Sequence, residues 1–128
     1  MSRGPEGFRA GASTHARGAA AEDAAAEWLE ERGFEILERN VRYDVGEIDV
    51  VAREGETLCF IEVKARLDGT YGSPLEAVTR HRQRRLLRAA SLYLVDRSWP
   101  GPCRFDVLGM VAEGEAWRVE LVRDAFQG

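Results

Sequence analysis

The chain has 128 residues, 18 Lys and Arg against 22 Asp and Glu for a formal net charge of −4, and is 45% hydrophobic and 31% charged. That length suits one domain with a real core rather than two, and the composition excludes a disordered chain. No apolar run reaches membrane-spanning length and Met1 to Thr14 lacks the apolar stretch of a secretory signal, so the expected setting is cytoplasmic, with no membrane partner.

Residues 1–14 read as a flexible lead-in and residues 15–128 as a single domain. A first helix is predicted from His15 to Arg32, with Ala21, Ala25, Trp28 and Leu29 on one face and Gly33 as its stop. A strand over Glu35 to Arg42 follows. Glu47 to Arg53 and Thr57 to Lys64 then read as a hairpin turning at Glu54-Gly55. A Gly- and Pro-bearing loop, Asp68 to Pro74, leads to a long helix from Leu75 to Val95. After Trp99-Pro100-Gly101-Pro102, the strands Arg104 to Ala112 and Ala116 to Arg123 close the chain around Glu113-Gly114. The order α-β-β-β-α-β-β predicts an α/β fold, a mixed central sheet flanked by helices. Cys59 and Cys103 stand apart, each among large neighbours, without metal-site spacing; both read as buried free thiols.

The hairpin strands are apolar on both faces. Ile48, Val50 and Ala52 alternate with Val51, and Ile61 and Val63 with Leu58 and Phe60, as in strands covered on both sides. Asp49, Glu62 and Lys64 interrupt them, and buried charges are rare unless paired or metal-bound. A turn centred on Glu54-Gly55 pairs Arg53 with Glu56, Val51 with Leu58, Asp49 with Phe60 and Glu47 with Glu62. With a side-chain period of two, Asp49, Glu62 and Lys64 then share one face, the two carboxylates being diagonal neighbours roughly 7–8 Å apart. Two oxygen ligands with an open coordination sphere suit Mg²⁺ or Mn²⁺, and a nearby ammonium can orient water or stabilise charge on a phosphate. Lys64 is the single lysine beside 17 arginines. The plain alternative is a Glu62–Lys64 salt bridge with Asp49 in solvent.

Gly46-Glu47-Ile48-Asp49, Phe60-Ile61-Glu62-Val63-Lys64-Ala65-Arg66, a basic helix and Arg104-Phe105-Asp106-Val107 closely resemble the YraN-like family of predicted endonucleases. The resemblance covers residues 15 to 110. It implies the restriction-endonuclease-like, PD-(D/E)xK fold, with Asp49 and Glu62 as metal ligands, Lys64 as the catalytic lysine and Glu22 on the first helix as a further acid. Ala21 stands where the family usually has Gly, and Arg82 where relatives usually place Lys.

Glu22 also fits as a helix-start acid favoured by the macrodipole. Val78, Arg82, Leu86, Ala89 and Tyr93 form one stripe of the second helix, so Arg82 points where a core residue is expected, toward a phosphate or an acid. Arg80, Arg84 and Arg88 form a separate stripe that reads as a solvated face or, with Arg66, as a nucleic-acid contact. Asp106 reads as structural. The expected function is Mg²⁺- or Mn²⁺-dependent hydrolysis of DNA, branched or structured substrates included. A non-catalytic nucleic-acid-binding module and a protein-interaction domain are the alternatives, and a homodimer or protein partner is open.

Overall fold

The computed structural model describes residues 10–66 and 72–127, with side chains from residue 18 onward. Helix α1 spans Ala10–Glu31, followed by β1 (Glu35–Tyr43), β2 (Gly46–Glu54), β3 (Thr57–Arg66), a 3-10 turn (Pro74–Ala77), α2 (Arg80–Arg97), β4 (Cys103–Glu113) and β5 (Ala116–Phe126). One five-stranded sheet has the order β1-β2-β3-β4-β5. Its neighbours are antiparallel except β3 and β4, which are parallel and joined by the α2 crossover that such a pair requires. The expected α-β-β-β-α-β-β order and flanked mixed sheet are therefore found. Among the described residues no helix is long and apolar enough to cross a membrane.

Helix α1 begins at Ala10, inside the stretch expected to be flexible, while residues 1–9 and most of the expected Asp68 to Pro74 loop lie outside the described residues. Its small residues let it lie close to the sheet: Ala21, Ala25 and Leu29 pack with Phe34 on Val50, Ala52, Cys59, Ile61, Leu108 and Met110. Gly33, at φ 94°, ends it as expected. The Phe34 N–H turns back to the Leu29 carbonyl at 3.0 Å, the left-handed glycine stop of a helix.

The opposite sheet face carries α2. Leu86, Ala89, Ala90 and Tyr93 pack on Ile48, Val51, Leu58 and Phe60, with the Phe60 and Tyr93 rings edge to face at 5.8 Å. The predicted single helix from Leu75 to Val95 is two elements. Val78 and Thr79 are extended, and the Thr79 hydroxyl accepts the Arg82 N–H at 3.1 Å, a side-chain cap that starts α2 afresh.

The hairpin turn sits one residue later than expected. Glu54 pairs with Thr57, Val51 with Phe60 and Val50 with Ile61, so the loop is Gly55-Glu56. Gly55 takes the positive φ of 61° that the first loop position demands. The same displacement occurs in the last hairpin, where Glu113 pairs with Ala116 and Gly114 has φ 62°. A two-residue change of register keeps side chains on their faces. Alternation fails at one place: Ile48 packs on the α2 side with Val51, not with Val50 and Ala52. The break falls at Asp49, opposite Asn40, which lies between the pairs Arg39–Val50 and Val41–Ile48 and adopts φ 55°.

On the α1 face of the sheet, fully buried Asp106, level with Ile61, accepts Arg104 Nε at 2.9 Å and the Asp124 N–H at 2.9 Å. Arg104 continues to Glu54, which also receives Arg123 Nη2 at 2.8 Å. These arginine bonds, from Arg123 and then Arg104, hold Glu54 at about 2 against the opposing effect of burial. The network ties β2, β4 and β5 together, the structural part expected of Asp106. Cys59 is buried, which pushes its thiol up to about 11. Cys103 is exposed, contrary to expectation, because it is the first residue of β4.

Gly46 explains one motif position. A Cβ there would lie 2.1 Å from the Arg85 carbonyl oxygen of α2, so the start of β2 touches the helix backbone directly. Gly46→Ala is expected to push α2 away and lower stability by roughly 1–3 kcal/mol. Urea unfolding checks this, and a midpoint equal to wild type contradicts the close contact.

Candidate functional site

The residues singled out from the hairpin meet where β2 and β3 emerge between the two helices. Continuing the register beyond Val50–Ile61 by one step sets Asp49 against Glu62. They are direct rather than diagonal neighbours, and the expected Glu47–Glu62 and Asp49–Phe60 pairs do not form. Backbone pairing stops there because the Asp49 side chain takes its place: Oδ2 accepts the Val63 N–H at 2.9 Å.

Asp49 is half-buried and Glu62 is buried. Burial, then the Glu62 charge, lifts the Asp49 carboxyl from 3.8 to about 7. The Val63 N–H and Arg82 pull the other way, while the charge of Glu22 adds to the rise. Glu22, half-buried on α1, is thus within electrostatic reach of Asp49 from one side of the sheet, and Arg82 on α2 from the other.

Arg82 lies at the inner end of the buried stripe of Val78, Leu86, Ala89 and Tyr93. Its Nη2 donates to Glu62 Oε2 at 2.6 Å and its Nε to the same oxygen at 3.2 Å. Nη1 lies 3.7 Å from Glu47 Oε2. Of the two targets expected for this side chain, an acid is the one it meets. Glu47 was not among the sequence-based candidates, although its place in the Gly46–Asp49 motif, next to a helix arginine, was the available signal.

Lys64 follows Glu62 by two residues and so faces the same way. It is half-buried and, among the described residues, makes no ion pair. The expected salt-bridge alternative is therefore not what forms: Glu62 is taken by Arg82. Lys64 sits beside Gly109 in the parallel register, where a Cβ would come within 2.5 Å of Pro74 Cγ. Just beyond, Arg66 lines a cavity of about 170 Å³ with Pro74, Gly109, Val111 and Arg118. Arg80, Arg84 and Arg88 are exposed on the outer side of α2 and have no carboxylate partner among the described residues.

Among the described residues no group of three or more His, Cys, Asp or Glu side chains is poised to hold a metal ion. The donor set nevertheless fits Mg²⁺ or Mn²⁺. It offers two carboxylates on adjacent strands, hard oxygen donors of the kind such ions take, and burial followed by the Glu62 charge disfavours ionised Asp49, a cost that a bound divalent cation would offset. One oxygen of Glu62 is occupied by Arg82 in the protein as it stands.

A family model described as "Uncharacterised protein family UPF0102" matches residues 21–110, which span Glu22, Asp49, Glu62, Lys64 and Arg82. A UPF0102 protein of Symbiobacterium thermophilum is 50% identical over 111 residues, covering 85% of this chain and 94% of its own length. One of Chlorobium chlorochromatii is 45% identical over 120 residues, covering 89% and 93%. One of Desulforapulum autotrophicum is 48% identical over 111 residues, covering 86% and 92%.

The raised Asp49 carboxyl fixes a sign. Its ionisation is harder folded than unfolded, so its contribution is most favourable below about 3.8 and is lost as pH rises through about 7. Asp49→Asn keeps an acceptor for the Val63 N–H without the charge. In metal-free buffer the variant should exceed wild type in stability by on the order of 2 kcal/mol at pH 8. The advantage should shrink toward pH 4. Thermal melts at both values check this, and a pH-independent difference contradicts it.

Proposed function

We infer a function from the premise that the chain belongs to the uncharacterised protein family UPF0102, the YraN-like family, and from the chemistry its strands bring together. The protein is a divalent-metal-dependent phosphodiesterase that hydrolyses DNA, structured or branched DNA included. The observation that supports this most is the direct apposition of Asp49 and Glu62 at the end of a buried hairpin, with Lys64 two residues further along the same face. A carboxylate pair held this way is costly for folding and has chemical use.

Asp49 and Glu62 would hold Mg²⁺ or Mn²⁺, and Glu22 would hold a water of its shell. When bound, such an ion polarises a phosphate oxygen and lowers the pKa of a coordinated water. Lys64 supplies an ammonium that orients the attacking water and stabilises charge building on the phosphate oxygens. In-line attack forms one P–O bond and breaks another, and the leaving oxygen takes its proton from solvent. Arg80, Arg84 and Arg88, which have no acid partner among the described residues, bear on the phosphate backbone, and Arg66 extends this contact beyond Lys64.

A second reading, a nucleic-acid-binding module that does not cut, draws support from one observation: Arg82 already neutralises Glu62 at 2.6 Å. A structural ion pair of this kind can persist after catalysis is lost.

Incubation with linear, flapped and four-way DNA in Mg²⁺ or Mn²⁺ separates the two. Cleavage is expected, reduced by about 100-fold or more in Asp49→Ala and Lys64→Ala. Cleavage that both variants retain in full overturns the mechanism. Binding without any cleavage establishes the module instead.

A further inference from the structure

Arg82 is the charged member of the inner stripe that α2 forms with Leu86, Ala89 and Tyr93. It interrupts an otherwise apolar stripe to reach a glutamate whose side chain is only 4% exposed. Its Nε and Nη2 both address a single oxygen, Glu62 Oε2. A guanidinium spread across both oxygens of a carboxylate makes the stronger fork, so this bond is the more readily exchanged form. The third nitrogen, Nη1, already leans toward Glu47 Oε2 at 3.7 Å. The guanidinium thus stands between two acids, one buried and one 37% exposed. The side chain of Glu62 is only 4% exposed, and both bonds from Arg82 fall on its Oε2.

We propose that Arg82 is the resident counter-cation of the site, neutralising Glu62 in the metal-free protein and passing to Glu47 when a divalent cation takes the Glu62 oxygen. This rests on the metal-site reading of Asp49 and Glu62. Arg82 and the metal ion compete for one carboxylate oxygen, and by linkage each weakens the other's hold on it. Glu47 keeps the displaced guanidinium close, so its donors remain at the mouth of the site. Arg82 is in this account a positioning residue for Glu62, with consequences for metal affinity that do not depend on turnover.

The test is calorimetric titration of the full chain with Mn²⁺ in the absence of DNA, with folding of each variant checked by circular dichroism. Arg82→Gln should bind Mn²⁺ about tenfold tighter than wild type or more, because the competitor is gone. Arg82→Lys should fall between the two. Glu47→Gln should bind more weakly than wild type, since Arg82 loses its alternative partner. Equal or weaker Mn²⁺ binding by folded Arg82→Gln overturns the inference while leaving the metal site intact. If Arg82→Gln does not fold, Glu47→Gln decides, and unchanged affinity there overturns the transfer. Absence of Mn²⁺ binding in wild type and every variant removes the metal-site reading itself.

Discussion

Two carboxylates set on neighbouring strands at the end of a buried hairpin, each within electrostatic reach of the other, set the terms for the rest of this structure. Asp49 and Glu62 cannot separate, because the register of β2 and β3 is fixed by apolar residues on both faces. Burial limits their solvation, because α1 covers one face of the sheet and α2 the other. The protein answers with a backbone N–H from Val63 and a guanidinium from Arg82. The answer is incomplete, and the raised Asp49 carboxyl is its measure. Sites that keep uncompensated charge against the interest of stability are where ion binding and chemistry are to be sought.

The α1 face of the same sheet, one residue along from Glu62 and toward the hairpin turn, offers a contrast in charge accounting. Asp106 is more deeply buried than Asp49, yet it is matched by Arg104 and a backbone N–H, and Glu54 by two arginines. There the charges close on one another and bind strands together. Burial of an acid alone therefore does not mark the functional end. The balance of partners does.

Much of this could be read in the sequence because it rests on period and on turn residues. The two-sided apolar pattern of the hairpin places it in the middle of a covered sheet, and the period of two puts Lys64 on the face of Glu62. Both hairpin turns sit one residue later than their Glu-Gly dipeptides suggest, because Gly-Glu forms each loop. Glycine takes the first loop position because it tolerates positive φ. Facing is kept, because the register differs by two. What pattern could not supply was tertiary. The left-handed Asn40 breaks the alternation at Asp49 and sends Ile48 to the α2 side. Val78 ends the 3-10 turn and Thr79 caps the start of α2. Glu47 becomes a partner of Arg82 only once α2 is laid against β2, a contact so close that Gly46 has no room for a side chain.

The central claim is that Asp49 and Glu62 together are a divalent-metal site. Anomalous diffraction from crystals grown with Mn²⁺ tests it most directly. The account predicts an anomalous peak bridging the two carboxylates, with the Arg82 guanidinium withdrawn from Glu62 Oε2. Saturating Mn²⁺ with no peak between them, and Arg82 still seated on Glu62, would contradict it.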